Sequence, residues 1–228
     1  MNEDITVLIL THKDKNGDPI TPHLTWLKAS NPGVDIKILT RSKELGIRTD
    51  KDYAWRNADE LLRSWWKRNK DTVATSVVIV LEYDVLVTAQ LPTLPPDIDL
   101  AGSSVFTPTT HSDWYWFNET NERSKLHKLK IQDKHLLGIV PYGVLVMKRE
   151  VLDSLCNKRW DKAYELDIFS ELRFTTIANI EKYKIGEVDL PNVNWAPKYS
   201  SKEINNFGIY HPVKETFIKN YEKISTNS

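Results

Sequence analysis

The chain contains one cysteine, Cys156, so no intrachain disulfide can form and a cysteine-based zinc cluster is excluded. A lone cysteine of this kind reads as a small buried hydrophobe rather than a nucleophile. Long apolar runs are missing too. No stretch approaches the roughly 20 residues that a membrane-spanning helix needs. The opening MNEDITVLIL carries acids where a secretory leader carries bases, and its apolar run is short. A reducing, cytoplasmic setting is therefore expected, and the sequon Asn118-Glu119-Thr120 reads as chance. Net charge is absent as well: Lys+Arg and Asp+Glu number 31 each. A balanced chain offers no global attraction to nucleic acid or bilayer. No G-x-G-x-x-G follows the first apolar run, which argues against a dinucleotide oxidoreductase.

What remains is a globular composition, 40% hydrophobic and 27% charged over 228 residues. That suits one sizeable α/β domain able to bury a core without covalent staples. Ile5 to Leu10 is a continuous apolar and β-branched run and reads as a buried strand. Residues 20–30 read as a helix stopped by Asn31-Pro32-Gly33, and Asp35 to Thr40 as a second strand. Trp55, Ala58, Leu62 and Trp65 recur at helical spacing, predicting a helix over 53–67. Ser76 to Leu81 (SVVIVL) is the strongest strand in the chain. After the Pro-rich LPTLPPDIDL, strand character resumes from Leu100 to Phe106. Further strands are expected at 143–147 and 184–188, with helices at 149–156, 164–181 and 214–224. Alternating strands and helices predict a mostly parallel central sheet flanked by helices. Ligands of such sheets bind beyond the carboxyl ends of the strands. Thr11-His12, Thr40-Arg41 and Glu82-Tyr83-Asp84 are expected on that rim.

Glu82-Tyr83-Asp84 is the most informative of these. In an extended chain residues i and i+2 point the same way, so both carboxylates can face one hard cation, Mn2+ or Mg2+. Trp114-Tyr115-Trp116-Phe117 is unusually aromatic for a polar segment. Flat rings pack on the apolar faces of sugars, so Trp114 and Trp116 are candidate acceptor contacts.

Several stations of the sequence resemble, in order, the glycosyltransferases of the GT-A fold. VLIL with Thr11-His12 is similar to that family's first strand and nucleotide-facing loop. Trp55-Arg56-Asn57-Ala58 resembles its A-R-N-x-G stretch, and VIVLEYD its apolar run ending in D-x-D. Residues 138–149 resemble its Gly-rich turn and following strand, and here Tyr142 becomes a candidate acceptor contact. Ser170-Glu171-Leu172-Arg173-Phe174 with Tyr183-Lys184-Ile185 resembles E-D-x-x-L followed by G-Y-K-I. His211 resembles a C-terminal histidine that completes the metal site in some members. Glu82 replaces the first Asp of D-x-D, Ser170-Glu171 replaces Glu-Asp, and Lys182 stands where the family often has Gly.

The resemblance implies a single GT-A-like domain over 1–228, with a nucleotide-binding half to about 106 and an acceptor half beyond. It implies a nucleotide-sugar donor, UDP-linked, a glycan or other hydroxyl acceptor, and Mn2+ or Mg2+ held by Glu82, Asp84 and His211. Thr11, His12, Arg56, Asn57, Tyr83 and Lys214 are then candidates for the donor nucleotide. Glu171 is the candidate base of an inverting reaction, with Asp167, one helical turn earlier, in reserve. A retaining enzyme of the same fold, a nucleotidyltransferase and a non-catalytic sugar-binding relative are the alternatives. The single glycine of THKDKNGDPITP disfavours the nucleotidyltransferase, whose triphosphate needs a Gly-rich cradle.

Overall fold

The structure, a computed structural model, describes residues 5–11, 20–118, 122–195, 199, 204 and 208–213. The first strand, β1 (Ile5–Thr11), is buried along nearly its whole length. Val7 and Ile9 enter one hydrophobic cluster and Leu8 and Leu10 another, as strand alternation requires. A strand covered on both faces has no polar side, which is why its sequence is a continuous apolar run. The chain continues through α1 (Ile20–Ser30), β2 (Asp35–Thr40), α2 (Lys51–Arg56), α3 (Ala58–Asn69), β3 (Val77–Glu82) and β4 (Leu86–Val87). Then come β5 (Leu100–Gly102), β6 (Val105–Phe106), α4 (Ser124–Lys128), β7 (Gly138–Ile139), β8 (Val144–Lys148) and α5 (Arg149–Leu155). The described part closes with α6 (Asp161–Glu165), α7 (Ser170–Ile180), β9 (Ile185–Glu187) and β10 (Ile209–Tyr210).

The fold is mixed α/β, with a six-stranded sheet in the order β2-β1-β3-β8-β5-β9. β1 runs parallel to β2 and β3, and β5 parallel to β9; β8 alone runs against its neighbours. Helix α1 covers one face, placing Ile20 and Leu27 against Val7, Ile9, Ile79 and Leu81. Helices α3, α5 and α7 cover the other, with Trp66, Leu152 and Phe174 against Leu8, Val80 and Leu145. Thr11 is paired with Thr40, and Leu10 with Glu82, so three parallel strands end at one rim. Among the described residues no helix is long and apolar enough to cross a membrane.

Three expected elements are divided. The helix expected at 53–67 breaks at Asn57, whose backbone leaves the helical region and whose buried side chain takes the Tyr53 carbonyl at 3.0 Å. The strand expected at 100–106 splits because β6 turns away to pair with β7. The helix expected at 164–181 stops at Glu165 and restarts at Ser170. Arg173, inside the second piece, reaches back to the carbonyls of Ala163 (3.4 Å) and Leu166 (3.0 Å) around the end of the first. Those carbonyls lack helical partners at a C-terminus, and the guanidinium supplies them. The helix expected at 214–224 lies outside the described residues.

Candidate active site

β3 delivers Glu82 to the rim, and a turn closed by Val85 N–H donating to the Glu82 carbonyl (3.1 Å) carries Tyr83 and Asp84. β4 follows at once and pairs antiparallel with β10, setting Tyr210 against Leu86. That pairing places His211 beside the acidic turn, although more than a hundred residues separate them in sequence. Val213 N–H donates to the Asp84 carbonyl at 2.8 Å and fastens the far end. Leu86, Ile204, Tyr210 and Val213 form a small cluster of their own beneath this junction.

His211 Nε2 lies 3.2 Å from Glu82 Oε2 and 3.5 Å from Asp84 Oδ1. One ligand atom from each of the three lies within 4.8 Å of the others. The second ring nitrogen, Nδ1, is 3.1 Å from the Asn194 carbonyl, to which it can only donate. In the neutral ring this selects the tautomer whose Nε2 can coordinate, as metal-bound histidines require. Burial opposes a charge on His211, but hydrogen bonds to Asp84 and Glu82 and their negative charge push its pKa up to about 10. Two carboxylates held this close favour a positive charge between them. Two oxygen donors and one nitrogen donor fit a divalent cation such as Mn2+ or Mg2+ that keeps its remaining positions for water or phosphate. Gly143 makes room for the ring: a Cβ there would meet the imidazole at 2.8 Å.

The three groups open on a cavity of about 930 Å³. Glu171, in the first turn of α7, lines the same cavity. Its Oε1 accepts the N–H of Tyr142 at 3.0 Å, and its Oε2 is buried with no hydrogen-bond partner among the described residues. Burial, helped by the charge of Glu82 and opposed by the Tyr142 N–H and His211, raises its pKa from 4.5 to about 8. Tyr83 and Tyr142 also line the cavity, the latter with its ring edge-on to Phe174.

The other candidates lie elsewhere. Thr11 is buried at the end of β1, where its carbonyl accepts Arg41 N–H at 3.2 Å, and it does not line the cavity. Arg41 turns inward to Glu60 and the Asn57 carbonyl. Arg56 ends α2, and it is held by Glu122 at 2.6 Å. Asn57 is wholly buried and accepts from Arg173 at 3.1 Å, inside a network anchored by the buried Arg173–Asp59 ion pair. Asp167 precedes α7 rather than sharing a helix face with Glu171; it accepts from Asn57 at 2.9 Å and pairs with Arg56 at 3.5 Å. Trp114 and Trp116 do not line the cavity either. Trp116 stacks on Phe169 with centroids 4.2 Å apart, and Trp114 packs edge-on to Phe106 and Phe117. His12 and Lys214 lie outside the described residues.

Sequence reasoning missed two cavity-lining tryptophans, Trp55 and Trp195, which are 50% and 60% exposed. Trp55 stands at a helical spacing that says nothing about which face is covered.

No family model matches this sequence, and no curated protein does. Among solved structures the chain is similar to the galactosyltransferase LgtC in complex with donor and acceptor sugar analogues, at 12% identity and a TM-score of 0.44, over 81% of this chain and 73% of that one. It is similar to an active-site mutant of LgtC at 13% identity and a TM-score of 0.47, over 98% and 95% of the two chains. A glycosyltransferase involved in glycosylation of the major capsid of PBCV-1 is similar at 11% identity and a TM-score of 0.46, over 96% and 98%. At such identities the chemistry has to be read from the groups around the cavity.

Proposed function

We propose that the chain is a single-domain, metal-dependent glycosyltransferase that moves a sugar from a nucleoside-diphosphate donor, UDP-linked, to a hydroxyl of a glycan or other acceptor. The observation that carries this reading is the convergence of Glu82, Asp84 and His211 with the buried Glu171 on one 930 Å³ cavity. The described residues lining it include four carboxylates, Asp52, Glu82, Asp84 and Glu171, and no lysine or arginine. A polyanionic diphosphate entering such a wall needs a cation between. Glu82, Asp84 and His211 would hold Mn2+ or Mg2+ there, with the Asn194 carbonyl orienting the imidazole. When bound, such a cation stabilises the charge that grows on the departing diphosphate.

The remaining work falls to Glu171. Its backbone-held Oε1 fixes the carboxylate, and Oε2 is left to take the proton of the acceptor hydroxyl. As that proton leaves, the acceptor oxygen bonds to the anomeric carbon from the face opposite the leaving group. The bond from that carbon to the diphosphate oxygen breaks with its electron pair, and the configuration inverts. Burial raises the basicity of this carboxyl above that of an ordinary glutamate, which suits a general base.

The direct test is a thermal-shift series with UDP, with and without Mn2+, followed by an assay for UDP release from UDP-sugars. A rise in melting temperature that requires both Mn2+ and UDP supports the reading. Absence of any nucleotide effect, together with no UDP release, overturns it.

A further inference from the structure

Among the described residues two tryptophans are exposed, and both line the cavity that holds the acidic turn. Isolated exposed apolar side chains are ordinary, but two large rings opening on one concavity point to a ligand with flat apolar surface. The two rings are attached to different parts of the chemistry. Trp195 follows Asn194, whose carbonyl holds His211, so it stands on the metal side. Trp55 rests on Phe169, with ring centroids 5.1 Å apart, and Phe169 stands two residues before Glu171. Phe169 is itself stacked on the buried Trp116. Trp55 is thereby backed by two aromatic layers, and its outer half is left to the cavity.

Resting on the proposed sugar transfer, we infer that Trp55 and Asp52 form the acceptor subsite, and that it takes an uncharged pyranose. The sugar lays its apolar face on Trp55 and donates hydroxyl hydrogens to Asp52, one helical turn away on α2, which also lines the cavity. Phe169 sets the height of the platform relative to Glu171, where the reacting hydroxyl must arrive. Asp52, the one carboxylate of the wall outside the metal trio and the proposed base, stands next to this platform and disfavours an acceptor that carries its own carboxylate. Trp195, beside the histidine of the metal trio, is left to the donor end of the cavity.

The test uses the full chain loaded with Mg2+ and UDP, and saturation-transfer NMR with three probes: methyl β-glucopyranoside, methyl β-galactopyranoside and methyl β-glucuronide. The expected result is binding of at least one neutral glycoside, with the glucuronide weaker. Trp55→Ala should weaken that binding roughly tenfold, the scale of one lost ring contact. Trp55→Phe should restore most of it. The affinity for UDP with Mg2+ should change less than twofold in Trp55→Ala, and its melting temperature in the absence of ligand confirms folding. Neutral glycoside binding undiminished in Trp55→Ala, or glucuronide binding as tight as the neutral sugar, overturns the subsite. Bound UDP with no glycoside binding overturns it while leaving the sugar-transfer reading intact. Glycoside binding without any UDP binding does the reverse and makes the cavity a sugar-binding module.

Discussion

The backbone N–H of Tyr142 holds Oε1 of Glu171 at 3.0 Å, so a carboxyl buried beside the acidic turn is steadied by a peptide group rather than by a charged partner. A hydrogen bond of this kind fixes direction without supplying a neutralising charge. It leaves the group basic, whereas an arginine in the same place would hold it ionised and weak. Glu171→Gln keeps the shape and the hydrogen bond and removes the base. Transfer is expected to fall about a hundredfold or more, with Mn2+ and UDP affinities unchanged. Steady-state kinetics beside calorimetry checks this, and near-normal turnover in the variant would remove Glu171 from the role.

The same residue ties stability to pH. Its folded pKa, about 8, lies above the ordinary 4.5, so the folded state holds a proton that the unfolded state releases. The corresponding stability is fully present below pH 4.5 and is lost as pH rises through 8. Metal-free wild type should therefore lose melting temperature across that window more steeply than Glu171→Gln. His211, whose pKa is raised to about 10, slopes the same way in both proteins, and because its charge acts on Glu171 the difference between the curves reports the two groups together. Parallel curves for the two would contradict the assignment.

Removing donors from the metal trio should separate binding from folding. Asp84→Ala is expected to abolish UDP-dependent Mn2+ binding, measured by calorimetry, without unfolding the protein. His211→Ala should weaken binding by about 10- to 100-fold, since water can replace one donor. Undiminished Mn2+ affinity in Asp84→Ala would place the cation elsewhere.

Gly143 offers a test that touches no donor atom. An added Cβ would meet the His211 ring at 2.8 Å, so Gly143→Ala must push the imidazole aside. Mn2+ affinity should drop to the level of His211→Ala, while the sheet register next to Val144 stays intact in backbone amide spectra.

Trp116 provides the contrast with Trp55. It is 7% exposed, stacked on Phe169 and packed in a cluster with Leu126 and Leu172. Trp116→Ala should cost about 3–5 kcal/mol of stability in denaturant titration, as large-to-small core changes do. A stable Trp116→Ala protein with an altered acceptor KM would return this ring to substrate binding.

β1 and β3 were legible because strands buried on both faces write themselves as near-continuous apolar runs, β2, a half-exposed edge strand, followed from the Asn31-Pro32-Gly33 stop before it, and Glu82-Tyr83-Asp84 stood out as the place where the strongest run ends. His211 was readable only through resemblance, because β4 and β10 are too short to leave a periodic signal and pair across more than a hundred residues. Asn57 defeated the helical spacing of Trp55, Ala58 and Leu62 because, beside its local bond to the Tyr53 carbonyl, its side chain is held by tertiary bonds to Arg173 and Asp167. The aromatic run at 114–117 drew attention by composition, while Trp55 did not. Which ring is covered depends on Phe169, whose stacking partner no local pattern reveals.

The pairing of β4 with β10 has a consequence for how tightly a cation can be held. It covers two residues on each strand: Leu86 and Tyr210 turn to a small cluster of their own, while Val87 and Ile209 join the layer under the main sheet. Short peripheral pairs open at lower free energy than central strands. An opening of this pair would carry His211 away from Glu82 and Asp84. The measured dissociation constant would then be the intrinsic one divided by the fraction of time this latch is shut. Substitutions at Leu86 or Tyr210 that loosen the latch would weaken metal binding in proportion, with every ligand still in the sequence.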